Sequence, residues 1–401
     1  MVSQAYLVDG TRSPIGGYGG SLQPLLTAQF GATVTSALLQ RNGVEPKDIE
    51  HISAGLTMPD PIDANPARAV GKLIGAPDEV PSFSINMQCC SGMQAMILAA
   101  QQVALEQFDC VLALGLESMS NVPHIIRGAR WGDMRIGGAE LADMFIELSY
   151  AGSKVWGEPM VMVDVAEHHA KVDGVSREEM DAYAVISHTR ALEAIDGGRL
   201  DDEIVPIEVP GRRGESKLFD TDEHPRRDIS VEKLAKLAPV QPGGVITAGN
   251  AAGMNDGAAA ALICNERGLK KLGLEPLARF IMPGTAQVAC DPSLMGYSCV
   301  DALNAALKSA EMRTDDLDLI ECNEGFAVQL VACQRAGKWD SERLNVDGGS
   351  IGLGHPPGMS GVRITVHLAN ALKQRDLKRG GATIPAGSGL GTAVLLERVA
   401  A

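Results

Sequence analysis

Apolar and polar positions along this chain follow two periods, and the order in which the periods change occurs twice. Residues 37–54 (ALLQRNGVEPKDIEHISA) read as a helix end, a short polar turn, an Asp and a segment with an apolar residue at each second position, and residues 305–322 (AALKSAEMRTDDLDLIEC) read the same way. Period two marks a strand with one face turned to a core, and period 3.6 marks a helix. Asp48-Ile49-Glu50-His51-Ile52 matches Asp316-Leu317-Asp318-Leu319-Ile320 without a gap. The parallel continues through a short segment with an Asn and a Gly/Ser-rich turn, Ser84-Ile85-Asn86 to Ser91-Gly92 and Leu344-Asn345 to Ser360-Gly361. A helix follows in each case, from residue 93 through Leu105 and from Gly361 through Leu372. An apolar strand closes each unit, Cys110 to Leu114 and Ala382 to Ile384. Two α/β units of the same order predict a duplicated fold of two similar layered halves.

Residues 121–243 interrupt that order with Pro, Gly, charge clusters and separate amphipathic helices. One such helix is predicted from Ser176 to Ile195, because Ser176 and Glu179 form a capping box at its start. Residues 244–264 then return to a Gly-flanked strand. The expected division is a first half of residues 1–120 with 244–275, an inserted loop domain of 121–243, and a second half of 276–401.

Composition narrows the function classes. A chain of 401 residues with 45% hydrophobic and 21% charged residues is an ordinary globular chain with a large core. A formal net charge of −15 argues against nucleic acid, which needs a basic stripe. Only residues 212–236 are locally basic enough to meet an anionic ligand. The eight Cys include no C-x-x-C, so reduced thiols in a reducing compartment are expected, with no metal site. No secretory leader or membrane-length apolar run is present in the sequence given, which makes the cytoplasm the expected location.

Four positions could carry chemistry. Cys89, in Asn86-Met87-Gln88-Cys89-Cys90-Ser91-Gly92-Met93, lies where a strand meets a helix. The unpaired N–H groups and the dipole of a helix N-terminus would favour thiolate, the nucleophilic form. A buried structural thiol is the plainer reading for a lone Cys, and Cys90 shares the same surroundings. His355 sits among glycines and prolines in the second-half segment that corresponds to Cys89 in the first, and in a duplicated fold such loops can converge on one site. Asn323 ends the strand Leu317–Glu321 and could hold a water or donate to a carbonyl oxygen, although on spacing alone a turn-forming Asn is the better reading. Gly387, after the last apolar strand, could add its N–H to that of Cys89 in an oxyanion hole. Phosphate binding there lacks the Lys of a Walker loop.

These segments carry a resemblance. Val8-Asp9-Gly10-Thr11-Arg12-Ser13-Pro14-Ile15-Gly16, Cys89-Cys90-Ser91-Gly92-Met93, Phe219 to Arg226, Thr247 to Gly257, Asn323 to Ala327 and Gly354 to Gly361 are similar, in order and spacing, to blocks of the thiolase family, the acetyl-CoA acetyltransferases and 3-ketoacyl-CoA thiolases. The resemblance spans essentially the whole chain. It implies two like halves, each a mixed five-stranded sheet with helices in layers, plus a loop domain that holds CoA. It implies a homodimer or homotetramer, with a tetramer contact near residues 121–145, and an acyl-CoA acyltransferase with CoA as cosubstrate and no tightly bound cofactor. By its alignment Cys89, not Cys90, forms the acyl-enzyme. His355 activates that thiol and, with a water on Asn323, stabilises the oxygen of the incoming thioester. The N–H groups of Cys89 and Gly387 form the second oxyanion hole. Arg226, Met162, Ala252 and Gly253 fall in segments that contact CoA.

The sequence departs from the pattern at Pro385, where the family usually carries a second catalytic Cys that moves a proton at the substrate α-carbon or the CoA thiol. Proline cannot, and loss of a positioned acid/base typically costs ~10²–10⁴-fold in rate. The family's His-Met-Gly segment reads Val161-Met162-Val163, its Ser before Gly253 is Ala252, and the middle Ala of its Asn-Glu-Ala-Phe motif is Gly325. Cys322 is expected to point away from the side of Asn323 by strand alternation, and Cys299 stands where relatives often have Pro. Three readings follow: a thiolase-like transferase, an acyltransferase with another carbon acid or a decarboxylating acceptor, and a silent CoA-binding or scaffold subunit.

Overall fold

A computed structural model of the chain describes residues 3–132, 138–211 and 214–399. The first half runs β1 (Tyr6–Arg12), α1 (Thr27–Arg41), β2 (His51–Leu56), α2 (Pro66–Leu73), β3 (Ser82–Ile85), α3 (Ser91–Ala104) and β4 (Cys110–Ser118). The intervening stretch carries α4 (Met162–Asp173), α5 (Arg177–Asp196) and two short antiparallel ribbons. The chain returns as β5 (Asn255–Cys264) and goes on through β6 (Ala278–Ala289), α6 (Ser298–Ser309), β7 (Leu319–Cys322), α7 (Ala327–Gly337), α8 (Ser350–Leu353), α9 (Pro357–Gln374), β8 (Arg379–Ala386) and β9 (Leu390–Arg398).

The repeat read from the sequence is visible in the pairing. In the first half the strands lie in the order β3-β2-β4-β5-β1, with β3, β2 and β4 parallel and β5 and β1 antiparallel. In the second half the order is β7-β8-β9-β6, with the same directions, and Leu344 makes a single parallel bridge to Ile320 where β3 pairs with β2. The second half thus has four full strands and one bridge in place of a fifth. The halves also do not stay apart. Tyr6 and Leu7 of β1 pair with Arg279 and Ala278 of β6, which joins them into one ten-stranded sheet, completed by the short strand Gly16–Gly17 on β5.

Strand alternation explains the layers. On β4, Cys110, Leu112, Leu114 and Leu116 enter one core with α1 and α2, while Val111 and Ala113 enter another with α3 and α9. On β9, Ala393 and Leu395 face α6 and α7, whereas Val394 and Leu396 face α9. Helices α3 and α9 therefore form a middle layer between the two halves of the sheet, and α9 is buried along its length from Pro357 to Leu372. Glycine makes that layer tight at its functional end. A Cβ on Gly92 would lie 2.4 Å from Gly358 O, and one on Gly361 would lie 2.3 Å from Met93 N. The first turns of α3 and α9 consequently touch backbone to backbone. Cys89 is two residues before α3, and His355 is two residues before α9, so this contact brings the two turns together.

Several boundaries moved by a few residues. The helix expected from 93 starts at Ser91, the strand expected to end at Leu114 runs to Ser118, and the strands expected after Asp48 and from Leu317 begin at His51 and Leu319. The capping box of α5 forms as read, with Ser176 Oγ accepting from Glu179 N (3.2 Å) and Glu179 Oε2 accepting from Ser176 N (2.9 Å).

Candidate active site

Between β3 and α3 the chain turns through Asn86-Met87-Gln88-Cys89-Cys90. Asn86 Nδ2 donates to Thr57 O (2.8 Å) and Asn86 Oδ1 accepts from Gln88 N (2.9 Å). Gln88 takes φ 53°, a left-handed backbone that a side chain enters at a cost. Its Nε2 donates to Ser388 Oγ (2.9 Å) and its carbonyl accepts from Thr57 Oγ1 (2.9 Å), which holds it there. The turn separates the two cysteines. Cys90 is fully buried and its thiol donates to Ile384 O (3.2 Å), whereas Cys89 keeps part of its surface.

The Cys89 sulfur lies in hydrogen-bond reach of its own N–H and of the Gly387 N–H. Burial nevertheless pushes the thiol up to about 12, and the carboxylate of Glu117 pushes the same way. The expectation of a resting thiolate is corrected: the helix terminus and two N–H donors favour the anion, but desolvation outweighs them. Glu117 is fully buried near the end of β4. Its Oε1 accepts from Met58 N (3.0 Å) and its Oε2 from Thr57 N (3.2 Å) and Gly358 N (2.8 Å), so it ties the start of α9 to the end of β2. Burial holds it up at about 7. Sequence reasoning missed Glu117. A carboxylate inside an apolar strand was the signal, and it fell beyond the expected strand end.

His355 follows Gly354, whose φ is 110° and whose absent Cβ would meet Ile15 Cγ2 at 2.6 Å. The His355 N–H donates to Asn255 Oδ1 (2.9 Å), and Asn255 Nδ2 donates to Gly16 O (2.9 Å). Its Nδ1 is 2.8 Å from Ser360 Oγ, while the Ser360 hydroxyl donates to Pro356 O (2.8 Å). A serine has one proton to give, so Nδ1 carries the imidazole N–H and Nε2 is left as the base. Burial, followed by the charge of Arg363, lowers His355 to about 3, which keeps the ring neutral at pH 7.

Asn323 stands one residue past β7. Its N–H donates to Thr383 O (3.0 Å), and its Oδ1 accepts from Ser350 Oγ (2.7 Å). Cys322 faces the other way, as alternation requires, into a group of Cys299, Cys322 and Cys333 around Gln329 Nε2 at 3.7, 3.9 and 3.7 Å. The next residue, Glu324, accepts from Tyr183 OH (2.6 Å) and Ser187 Oγ (2.6 Å) of α5, from Asn345 Nδ2 (2.8 Å) and from Ile351 N (2.9 Å). That carboxylate fastens the intervening stretch to the segment leading to His355.

Of the residues expected to meet CoA, Met162 stands near the Gly387 turn. Gly387 leaves no room for a side chain: a Cβ would lie 2.5 Å from Ala151 Cβ and 3.4 Å from Met162 Sδ. Ala252 N donates to Gly325 O (3.0 Å). A Cβ on Gly253 would lie 2.2 Å from His224 Cε1 and 3.2 Å from Asn255 Oδ1. Arg226 is exposed, with its N–H on His188 Nδ1 (3.2 Å). Pro385 is buried in β8, opposite Gly391 of β9. Among the described residues no group of three or more His, Cys, Asp or Glu is placed to hold a metal ion.

Comparison with known proteins decides the family. The thiolase N-terminal domain description matches residues 5–267 and the thiolase C-terminal domain description matches residues 274–398. This chain belongs to the thiolase family. The acetyl-CoA acetyltransferase of Chromobacterium violaceum is 40% identical over 393 residues, covering 98% of this chain and 99% of that protein. That of Pseudomonas aeruginosa is 41% identical over 395 residues, covering 98% of each. Among solved structures, the Bacillus anthracis acetyl-CoA acetyltransferase superposes with a TM-score of 0.95 at 38% identity and 99% coverage of both chains. Human mitochondrial 3-ketoacyl-CoA thiolase in complex with CoA gives 0.93 at 35% identity, covering 99% of this chain and 98% of that one. This thiolase is an enzyme, an acyltransferase of acyl-CoA substrates.

Proposed function

We propose that this thiolase makes or cleaves 3-ketoacyl-CoA through an acyl thioester on Cys89, with CoA as acyl acceptor in the cleavage direction. The observation that carries the reading is the pair of N–H groups, from Cys89 and Gly387, at the sulfur of a thiol that keeps solvent access. As the sulfur attacks a carbonyl carbon, His355 Nε2 takes the thiol proton and the two N–H groups receive the developing oxyanion. A neutral thiol beside a neutral imidazole transfers its proton at the moment of attack. His355 then returns the proton to the departing carbon, and in the second half-reaction it carries the CoA thiol proton to Cys89. Asn323, through its amide, supports the oxygen of the thioester that leaves or enters.

We assign CoA contact to Arg226, Met162, Ala252 and Gly253, with residues 121–243 as a loop domain between halves formed by 1–120 with 244–275 and by 276–401. Three features support this: the exposure of Arg226, the placement of Met162 Sδ 3.4 Å from where a Cβ on Gly387 would stand, and the placement of Gly253 near Asn255, which accepts from the His355 N–H. A homodimer or homotetramer fits the exposed Trp131 and Leu141 in the stretch 121–145. Residues 133–137 of that stretch, and 212–213 of the basic segment, lie outside the described residues. The setting we infer is fatty acid metabolism in the cytoplasm, without a tightly bound cofactor. No helix of the described residues is long and apolar enough to cross a membrane.

Pro385 favours a second reading. Cys90, Cys299, Cys322 and Cys333 all turn their sulfurs into packed interior, so none of these four thiols serves as the second proton carrier. An acceptor that decarboxylates, or that is already acidic, would need no second one. The test is a steady-state assay with acetoacetyl-CoA and CoA. Acetyl-CoA formation at an ordinary turnover of about 1–10³ s⁻¹ supports the first reading. Turnover seen only when malonyl-CoA or an acidic carbon acid is supplied replaces it with the second.

A further inference from the structure

The orientation of the Asn323 amide is set from behind. An amide side chain can turn its oxygen or its NH2 toward a substrate, and the two choices have opposite chemistry: the oxygen only accepts, the NH2 only donates. Asn323 Oδ1 is 2.7 Å from Ser350 Oγ, and Ser350 Oγ is 3.4 Å from Arg363 Nη2. All three side chains are buried, with relative exposures of 1%, 0% and 1%. A guanidinium has no acceptor atom, so toward Arg363 the Ser350 oxygen presents a lone pair. Its single proton then points to Asn323. If the Asn323 amide were reversed, its NH2 and Arg363 would both donate to Ser350, and the Ser350 proton would have no acceptor in a place without water access. A buried hydroxyl without an acceptor is costly, which selects the orientation with Oδ1 on Ser350.

We propose that Ser350, itself oriented by Arg363, is a positioning residue that fixes Asn323 with its NH2 toward the substrate, so that Asn323 acts as a donor to a thioester oxygen or to a water on it. The inference rests on the role given to Asn323 above. It assigns a task to Arg363, a buried guanidinium whose Nε and Nη1 have no partner among the described residues and whose charge reaches His355. Arg363 then bears on both functional side chains, lowering the basicity of His355 and aiming the hydroxyl that aims Asn323. Ser350 belongs to the Gly-rich run that ends in His355, so the same short segment, 350–355, carries the base and the residue that orients its neighbour.

The test is a double-mutant cycle on the full-length enzyme with Ser350→Ala, Asn323→Ala and the pair, reading kcat and KM separately for whichever acyl-CoA reaction the enzyme turns over. Ser350→Ala lowers kcat roughly tenfold, with KM within about twofold, because a donor made in the transition state is lost while ground-state contacts stay. In the Asn323→Ala background the same change costs nothing further. A kcat unchanged in Ser350→Ala while Asn323→Ala is impaired overturns the positioning role, and so do losses that multiply in the double variant. A harmless Asn323→Ala overturns instead the role of Asn323, on which the inference stands. If Ser350→Ala is too unstable to assay, Ser350→Cys keeps the volume with a weak S–H donor, and a kcat equal to that of the native enzyme despite that weakened donor is the overturning result.

Discussion

The turn that carries Cys89 and the turn that carries His355 occupy equivalent places in the two halves, and they differ in how each is held. Both residues follow one with positive φ, Gln88 at 53° and Gly354 at 110°, and both precede a helix of the middle layer by two positions. In the first half a four-residue strand leads in, the left-handed residue bears a side chain, and bonds reaching Ser388 across the halves hold it. In the second half one bridge at Leu344 stands for the strand, the left-handed residue is glycine, and Asn255 and Ser360 hold the histidine. The duplication supplies two convergent helix starts. What makes one a nucleophile and the other a base is the set of side chains that each receives from elsewhere.

The strongest way to break the comparison is to remove the base. His355→Ala is expected to lower kcat by roughly 10²–10⁴-fold while Cys89 stays in place, measured as the rate of acyl transfer in single-turnover experiments. A loss below tenfold would mean that the second turn is scaffold only. The state of the first turn is sharper in a pH series. With the Cys89 thiol at about 12, on the order of one in 10⁵ molecules is thiolate at pH 7, so alkylation by iodoacetamide rises about tenfold per pH unit from 7 to 10. A plateau already reached at pH 8 would restore a resting thiolate. The effect on stability is smaller. Gly354→Ala combines a disfavoured φ with a 2.6 Å clash against Ile15, and should cost about 2–5 kcal/mol in denaturant unfolding. Gln88→Gly releases the backbone but gives up the bond to Ser388, and should stay within about 1 kcal/mol of the native protein.

Much of this was legible in the sequence, because the repeat is written in local periods. Asp48–Ile52 and Asp316–Ile320 predicted like strands in like places, and the element order around Cys89 and His355 followed. What was not legible depends on partners far away in the chain. The merging of the two sheets into one rests on two backbone pairs between residues 6–7 and 278–279. The thiolate expectation came from the adjacent helix start alone, and the opposing influences come from packed surroundings and from Glu117, on another strand. Ser350 and Ser360 look like small turn residues until Asn323 and His355 are set beside them.

The most direct test is the intact mass of the protein after brief mixing with acetyl-CoA and acid quench. The account predicts a gain of one acetyl group on the native enzyme, mapped to the peptide that holds Cys89 and absent from Cys89→Ala. An unchanged mass in the native enzyme, or an adduct that persists in Cys89→Ala, would contradict it.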